Sequence, residues 1–260
     1  MKSILLSADR PAGFEARLET ALSLARSTGG HISALVNMPV AAHVVMDPMG
    51  GTYFAGEAFD RLRDDRDQRG KAIEARLARE DVPFDVISTE GDPVESLAGA
   101  ARFADVVVVS QGDGLAGDLA LTATVPVLRV ADDTALSFPV GKACIAWNGS
   151  EEAAFALRSA VPLLIGCAGV ELIAVIDHSG GFPATEALRY LSRHGICADL
   201  QEIERRGSTE ETLAVAVGRS GASLLVMGAF GKSRMREFLF GGVTAHFLEN
   251  AGPIALFMAH

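Results

Sequence analysis

Two runs in the chain, "ADVVVVS" (104–110) and "ASLLVMG" (222–228), are apolar at nearly every position. A strand with one wet face alternates polar and apolar residues, so these continuous runs predict strands of a parallel sheet covered on both sides. Upstream of them, "FEARLETALSLARSTGG" (14–30) and "EEAAFALRSAVPLLIGCAG" (151–169) carry apolar residues at helical spacing and end in glycine, where a left-handed cap is wanted. The pattern repeats at an offset of 140: "KSILL" (2–6) falls on "KACIA" (142–146), and "HISALVN" (31–37) on "ELIAVID" (171–177). Each half therefore begins strand, helix, strand. It continues with second helices over 57–80 and 184–194 and short strands at 84–89 and 197–203. Third helices follow near 93–103 and 208–219, then the two apolar runs, then fifth strands at 125–130 and 252–259.

Alternating strands and helices predict an α/β protein of two tandem, doubly wound, five-stranded parallel units with helices on both faces. The stretch "ADDTALSFPVGK" (131–142) places the boundary, giving units of 1–134 and 140–260. A long irregular loop at 37–58 exceeds its counterpart "DHSGGFPATEA" (177–187) and reads equally as a lid or as mere variation.

The halves differ most after the fourth strand, in "VMGAFGKSRMREFLFGGVTAHF" (226–247). From Gly228 to Pro253 there are 25 positions, and from the equivalent Ser110 to Pro126 there are 16, nine fewer. A segment that one copy of a fold lacks is not there simply to fold the other. Ligands of open parallel sheets bind beyond the carboxyl ends of the strands, where this segment begins. Gly228 and Gly231 let the backbone come close to a ligand. Gly241-Gly242-Val243-Thr244 then opens a helix ending near Asn250, and free amides with a partial positive charge at such an end seat phosphate. The spacing is neither the dinucleotide G-x-G-x-x-G nor the P-loop. Lys232, Arg234 and Arg236 on this segment read equally as a phosphate clamp or a solvated surface.

Gly228-x-x-Gly231, nine residues, then Gly241 resembles the nucleotide-binding signature G-x2-G-x9-G-[ST] of the universal stress protein family. The tail "GPIALFMAH" resembles that family's fifth strand. Because both halves share the order of elements, the whole chain looks like two such domains in tandem. The resemblance implies a Rossmann-like sheet of order 3-2-1-4-5 in each half, with the halves paired through their fifth strands as an intramolecular pseudo-dimer. It also implies ATP or another adenine nucleotide, with or without Mg2+, bound in the second half. Gly228, Gly231, Gly241, Gly242, Val243 and Thr244 would then surround the phosphates. Met227 would lie near the ribose and adenine, Ala146, Trp147 and Asn148 at the end of the first strand, and Val175 against the base. Two residues depart from the family pattern: Gly242 stands where it has Ser or Thr, and Asn148 where it has an acid. The first half's "SQGDGLAGDLAL" (110–121) lacks the spacing and leaves too few residues for loop and helix, so it reads as a degenerate unit kept for pairing.

Composition removes other classes. A net charge of −10 over 260 residues disfavours nucleic acid as a partner. No apolar run approaches the roughly 20 residues of a membrane span, and the first residues lack a signal-peptide core, so the expectation is a cytoplasmic protein with no membrane contact. Cys144, Cys167 and Cys197 are odd in number without C-x-x-C spacing, which predicts buried thiols rather than disulfides or zinc. The six histidines, His31, His43, His178, His194, His246 and His260, form no H-x-x-x-H pair, so no metal site is expected. His194 reads as a partner of a helix C-terminus, and Ser150 as an N-cap rather than a nucleophile. No catalytic residue emerges. The expected role is a nucleotide-binding stress-response factor rather than an enzyme of fast turnover. A nucleotide-independent protein-interaction module and a slow ATPase are the rival readings; an unidentified protein partner and a further homodimer stay open.

Overall fold

The first half alternates as predicted: β1 (Ser3–Ser7), α1 (Phe14–Thr28), β2 (His31–Met38), then two short strands, β3 (Val44–Met46) and β4 (Thr52–Phe54). It continues with α2 (Gly56–Leu77), β5 (Phe84–Glu90), α3 (Pro93–Ala100), β6 (Val106–Ser110), α4 (Ala116–Thr122) and β7 (Val127–Val130). The second half runs β8 (Lys142–Trp147), α5 (Glu151–Leu164), β9 (Gly169–Ile176), α6 (Ala184–Arg193) and β10 (Ala198–Glu204). It closes with α7 (Thr209–Ser220), β11 (Leu224–Gly228), α8 (Val243–Asn250) and β12 (Ala255–Ala259). This computed structural model describes residues 1–39, 44–46, 52–54, 56–176, 181–231, 242–250 and 252–260.

Ten strands form one sheet in the order β10-β9-β8-β11-β12-β7-β6-β1-β2-β5. Within each half of this sheet every pairing is parallel and the order is 3-2-1-4-5. The halves meet at their fifth strands, where β12 and β7 pair antiparallel with Phe257 opposite Leu128. The apolar runs are indeed covered on both faces. Val106 and Val108 of β6 and Leu224 and Val226 of β11 point to the layer of α1, α2, α5 and α6. Val107, Val109, Leu225 and Met227 point to the layer of α3, α4, α7 and α8. Helix starts follow local chemistry. Asp92 accepts from the amides of Val94 and Glu95, Ser150 from Ala153, and Ser208 forms a reciprocal capping box with Glu211.

Three expectations need correction. The 37–58 stretch is not wholly loop: it holds the antiparallel pair β3–β4 and the start of α2. The first half does keep a helix after its fourth strand, α4, because a single 3-10 turn at 111–113, closed by a Ser110–Asp113 capping box, replaces the longer loop. Of the cysteines, only Cys144 is buried; Cys167 is partly buried and Cys197 exposed, since the last precedes a sheet-edge strand. The stretch joining the halves is tied to α1. Its Leu136 and Phe138 amides donate to Thr20 Oγ1 (2.9 Å) and Ser23 Oγ (2.8 Å) of α1.

Candidate functional site

At the carboxyl end of β8 the chain turns through Asn148, Gly149 and Ser150 into α5. Asn148 is exposed, and its Oδ1 accepts from the Ser150 amide at 3.1 Å. Gly149 has φ +72°, and a side chain there would meet the Phe182 nitrogen at 2.3 Å, so the loops after β8 and β9 interlock. The Trp147 indole fixes the same contact, donating to the Phe182 carbonyl at 3.0 Å. The Trp147 side chain packs among the residues of α5 and α6; Ala146, Val175 and Met227 lie on the sheet's other face.

The end of β11 is built around contacts with α5 and α8. A side chain on Gly228 would lie 2.6 Å from the Ala153 nitrogen and 2.7 Å from the Glu152 carbonyl carbon, so glycine here lets the strand press against the first turn of α5. The next residues are held from the far end of the chain: the Ala229 amide donates to the Ala259 carbonyl (2.8 Å), and His260 Nδ1 donates to the Ala229 carbonyl (2.8 Å). Phe230 has φ +46°, the only positive value for a non-glycine among the described residues. Its amide donates to Thr244 Oγ1 at 3.3 Å, which ties the strand end to the first turn of α8. Thr244 is buried. Gly242 precedes α8 with φ +92°, and the first amides of α8 lack partners within the helix. Gly231 is exposed.

Thus Gly228, Gly231, Gly242, Val243 and Thr244 converge with the end of β8, through α5, on one corner of the sheet. Gly241, Lys232, Arg234 and Arg236 lie outside the described residues, as do His43 and His178.

The matching corner of the first half is chemically different. Ser110 and Asp113 stand where the second half has Gly228 and Gly231. Arg17 of α1, fully buried, bonds Asp113 Oδ2 (2.9 Å), Ser110 Oγ (2.7 Å) and the Arg10 carbonyl (2.7 Å). Asp113 also accepts from the Ser110 amide, and the Gly112 amide donates to Asp132 Oδ1 at 3.0 Å. Burial raises the Asp113 carboxyl above its ordinary range and lowers the Arg17 guanidinium, with their mutual attraction opposing each shift. The chain's own charges fill this corner.

Among solved structures, a universal stress protein from Archaeoglobus fulgidus DSM 4304 superposes with a TM-score of 0.75 at 17% identity, covering 99% of this chain and 95% of its own. The fold is that of the universal stress proteins. A putative universal stress protein from Pseudomonas aeruginosa UCBPP-PA14 matches with a TM-score of 0.60 at 15% identity, covering 100% of this chain and 93% of its own. A universal stress protein in complex with cAMP matches 47% of this chain and 98% of its own, at 18% identity and a TM-score of 0.36. No family model matches the chain, and no curated protein matches it in sequence.

Two contributors to this corner lie outside the glycine spacing. The terminal His260 clamp carries no sequence signal. Glu152, buried although it neighbours the exposed Glu151, does carry one: it sits four and eight positions before the buried Ala156 and Ala160, on the face of α5 that packs inward. Among the described residues no helix is long and apolar enough to cross a membrane, and no three metal-ligating side chains cluster.

Proposed function

We propose that the chain is a tandem universal stress protein that binds an adenine nucleotide, ATP foremost, in its second half and acts as a regulatory factor in a stress response. The observation that carries this reading is the contrast between the two corners. On one fold, the first half closes the end of its first and fourth strands with the buried Arg17–Asp113 pair. The second half has Gly228 and Gly231 at the corresponding places, beside the first amides of α8, which have no partner within the helix. Backbone amides converging without side chains suit phosphate oxygens. Thr244 supplies a hydroxyl at that helix start, and the ribose and base would lie toward Met227, Ala146 and Val175. The role in this reading is binding rather than turnover. To test this, the purified protein is denatured and any released nucleotide identified by absorbance and mass. ATP, ADP or AMP near one per chain supports the reading. A blank, repeated after incubation with ATP and Mg2+, overturns it and directs attention to partner binding.

A further inference from the structure

Arg129 of β7 is 1% exposed and lies in the seam between the halves, opposite Leu256 of β12. Its Nη2 reaches only the Leu248 carbonyl of α8, at 3.4 Å. Its Nη1 has no hydrogen-bond partner among the described residues, and Asp132 attracts the group without forming an ion pair. A buried charge met so weakly is costly, and an apolar side chain of similar volume is often more stable in its place. The seam holds such a side chain at the equivalent position. Leu128 and Phe257 are counterparts, each beside the central valine of a fourth strand, Val108 or Val226, and they face each other across the seam. Met258, fully buried, therefore occupies in the second half the place that Arg129 has in the first. The ladder between β7 and β12 carries one arginine on one side only.

What this asymmetry changes is which halves can pair. Two copies of the chain could exchange partners, first half with first and second with second, because both fifth strands offer the same kind of edge. Residues 131–141 reach roughly 36 Å when extended, so the link between the halves does not prevent it. After such an exchange one seam would hold two arginines and the other none. On the register of the present seam, Leu128 would face the Leu128 of the second copy, and the two Arg129 residues would become diagonal neighbours on one face of the ladder, about 7–8 Å apart. Two like charges at that separation, at an effective dielectric constant near 20, disfavour the pairing by roughly thirtyfold. Unlike halves meet with one charge and escape this repulsion. Specifying register or partner is the best-attested use of a buried polar group that costs stability.

We infer that Arg129 is the pairing-specificity residue of the seam: it bars the first half from pairing with the first half of a second copy and so selects the union of unlike halves within one chain. This holds whether or not the second half binds nucleotide. To test it, the full chain and Arg129→Met are unfolded in denaturant, refolded at high protein concentration and sized by chromatography with light scattering. Arg129→Met is expected to unfold at or above the wild-type denaturant midpoint and to give at least about tenfold more of a species of twice the wild-type mass. An exchange that keeps unlike halves together has one arginine per seam before and after, so it is not enriched. The double variant Arg129→Met with Met258→Arg moves the single charge across the seam and is expected to return to the wild-type mass. Arg129→Lys keeps the charge and should do the same. An Arg129→Met chain that refolds to the wild-type mass alone, or a lysine or double variant as enriched in the doubled mass as Arg129→Met, overturns the inference. So does a midpoint for Arg129→Met well below wild type, which would assign Arg129 to holding α8 through Leu248 instead.

Discussion

At Gly242 the backbone takes φ +92°, while a methyl group placed on its α-carbon would meet nothing within 4 Å among the described residues. The obstacle to the family's Ser or Thr is therefore backbone strain rather than crowding. Gly242→Ser should cost roughly 1–2 kcal/mol and leave nucleotide affinity no stronger, which a denaturation curve and a titration would check. Asp113 makes a second prediction at this scale. Its folded-state carboxyl is raised by burial, opposed in part by Arg17. The native state therefore keeps that proton to higher pH than the unfolded chain, and stability falls as pH rises from the ordinary value near 4 through the raised one. Asp113→Asn should flatten the pH dependence of the denaturation midpoint across that window. It should also leave Arg17 buried without its counter-charge, at a cost of about 3 kcal/mol.

Among the elements, the two glycines of the β11 end separate packing from binding. Gly228 abuts backbone atoms of α5, which cannot rotate away, so Gly228→Ala should destabilise by about 1–3 kcal/mol. Gly231 is exposed, and among the described residues a side chain there would come within 4 Å of Glu152 Oε2 alone. Gly231→Leu should leave the melting temperature unchanged and abolish ATP binding; equal losses of stability in both variants would contradict the division. The elements also explain why a half without the loop is retained. Gly117 of α4 leaves space for Leu248 of α8 and Phe230, at 3.1 and 3.8 Å from where a side chain would begin, and Arg129 of β7 donates to the Leu248 carbonyl at 3.4 Å. The first half thus props the helix and the strand end that form the second half's corner. Arg129 is itself buried, its pKa lowered by desolvation against the attraction of Asp132, and its Nη1 has no partner among the described residues. Element order was legible because "VVVV" and "LLVM" cannot face water on either side. The α4 helix was not, because its start depends on a capping box between Ser110 and Asp113, which looks like ordinary loop polarity in the sequence.

At the scale of the molecule, one ten-stranded sheet carries two carboxyl-end corners with opposite chemistry. One is filled by internal charge; the other has glycines and a buried carboxylate. Spacing exposed the glycines of the second corner, since Gly228, Gly231 and Gly242 stand close together in sequence. It could not expose the Arg17–Asp113 pair, whose members are 96 residues apart, or the His260 clamp, which depends on β12 lying beside β11. Gly228 carried a double meaning: spacing suggested approach to a ligand, while the fold adds approach to α5. The central claim is one nucleotide site per chain, in the second half. Titration calorimetry of the full chain with Mg2+ and ATP, beside Gly231→Leu, tests it most directly. The account predicts one site per wild-type chain and none in the variant. Two sites, none, or binding that survives in Gly231→Leu would contradict it.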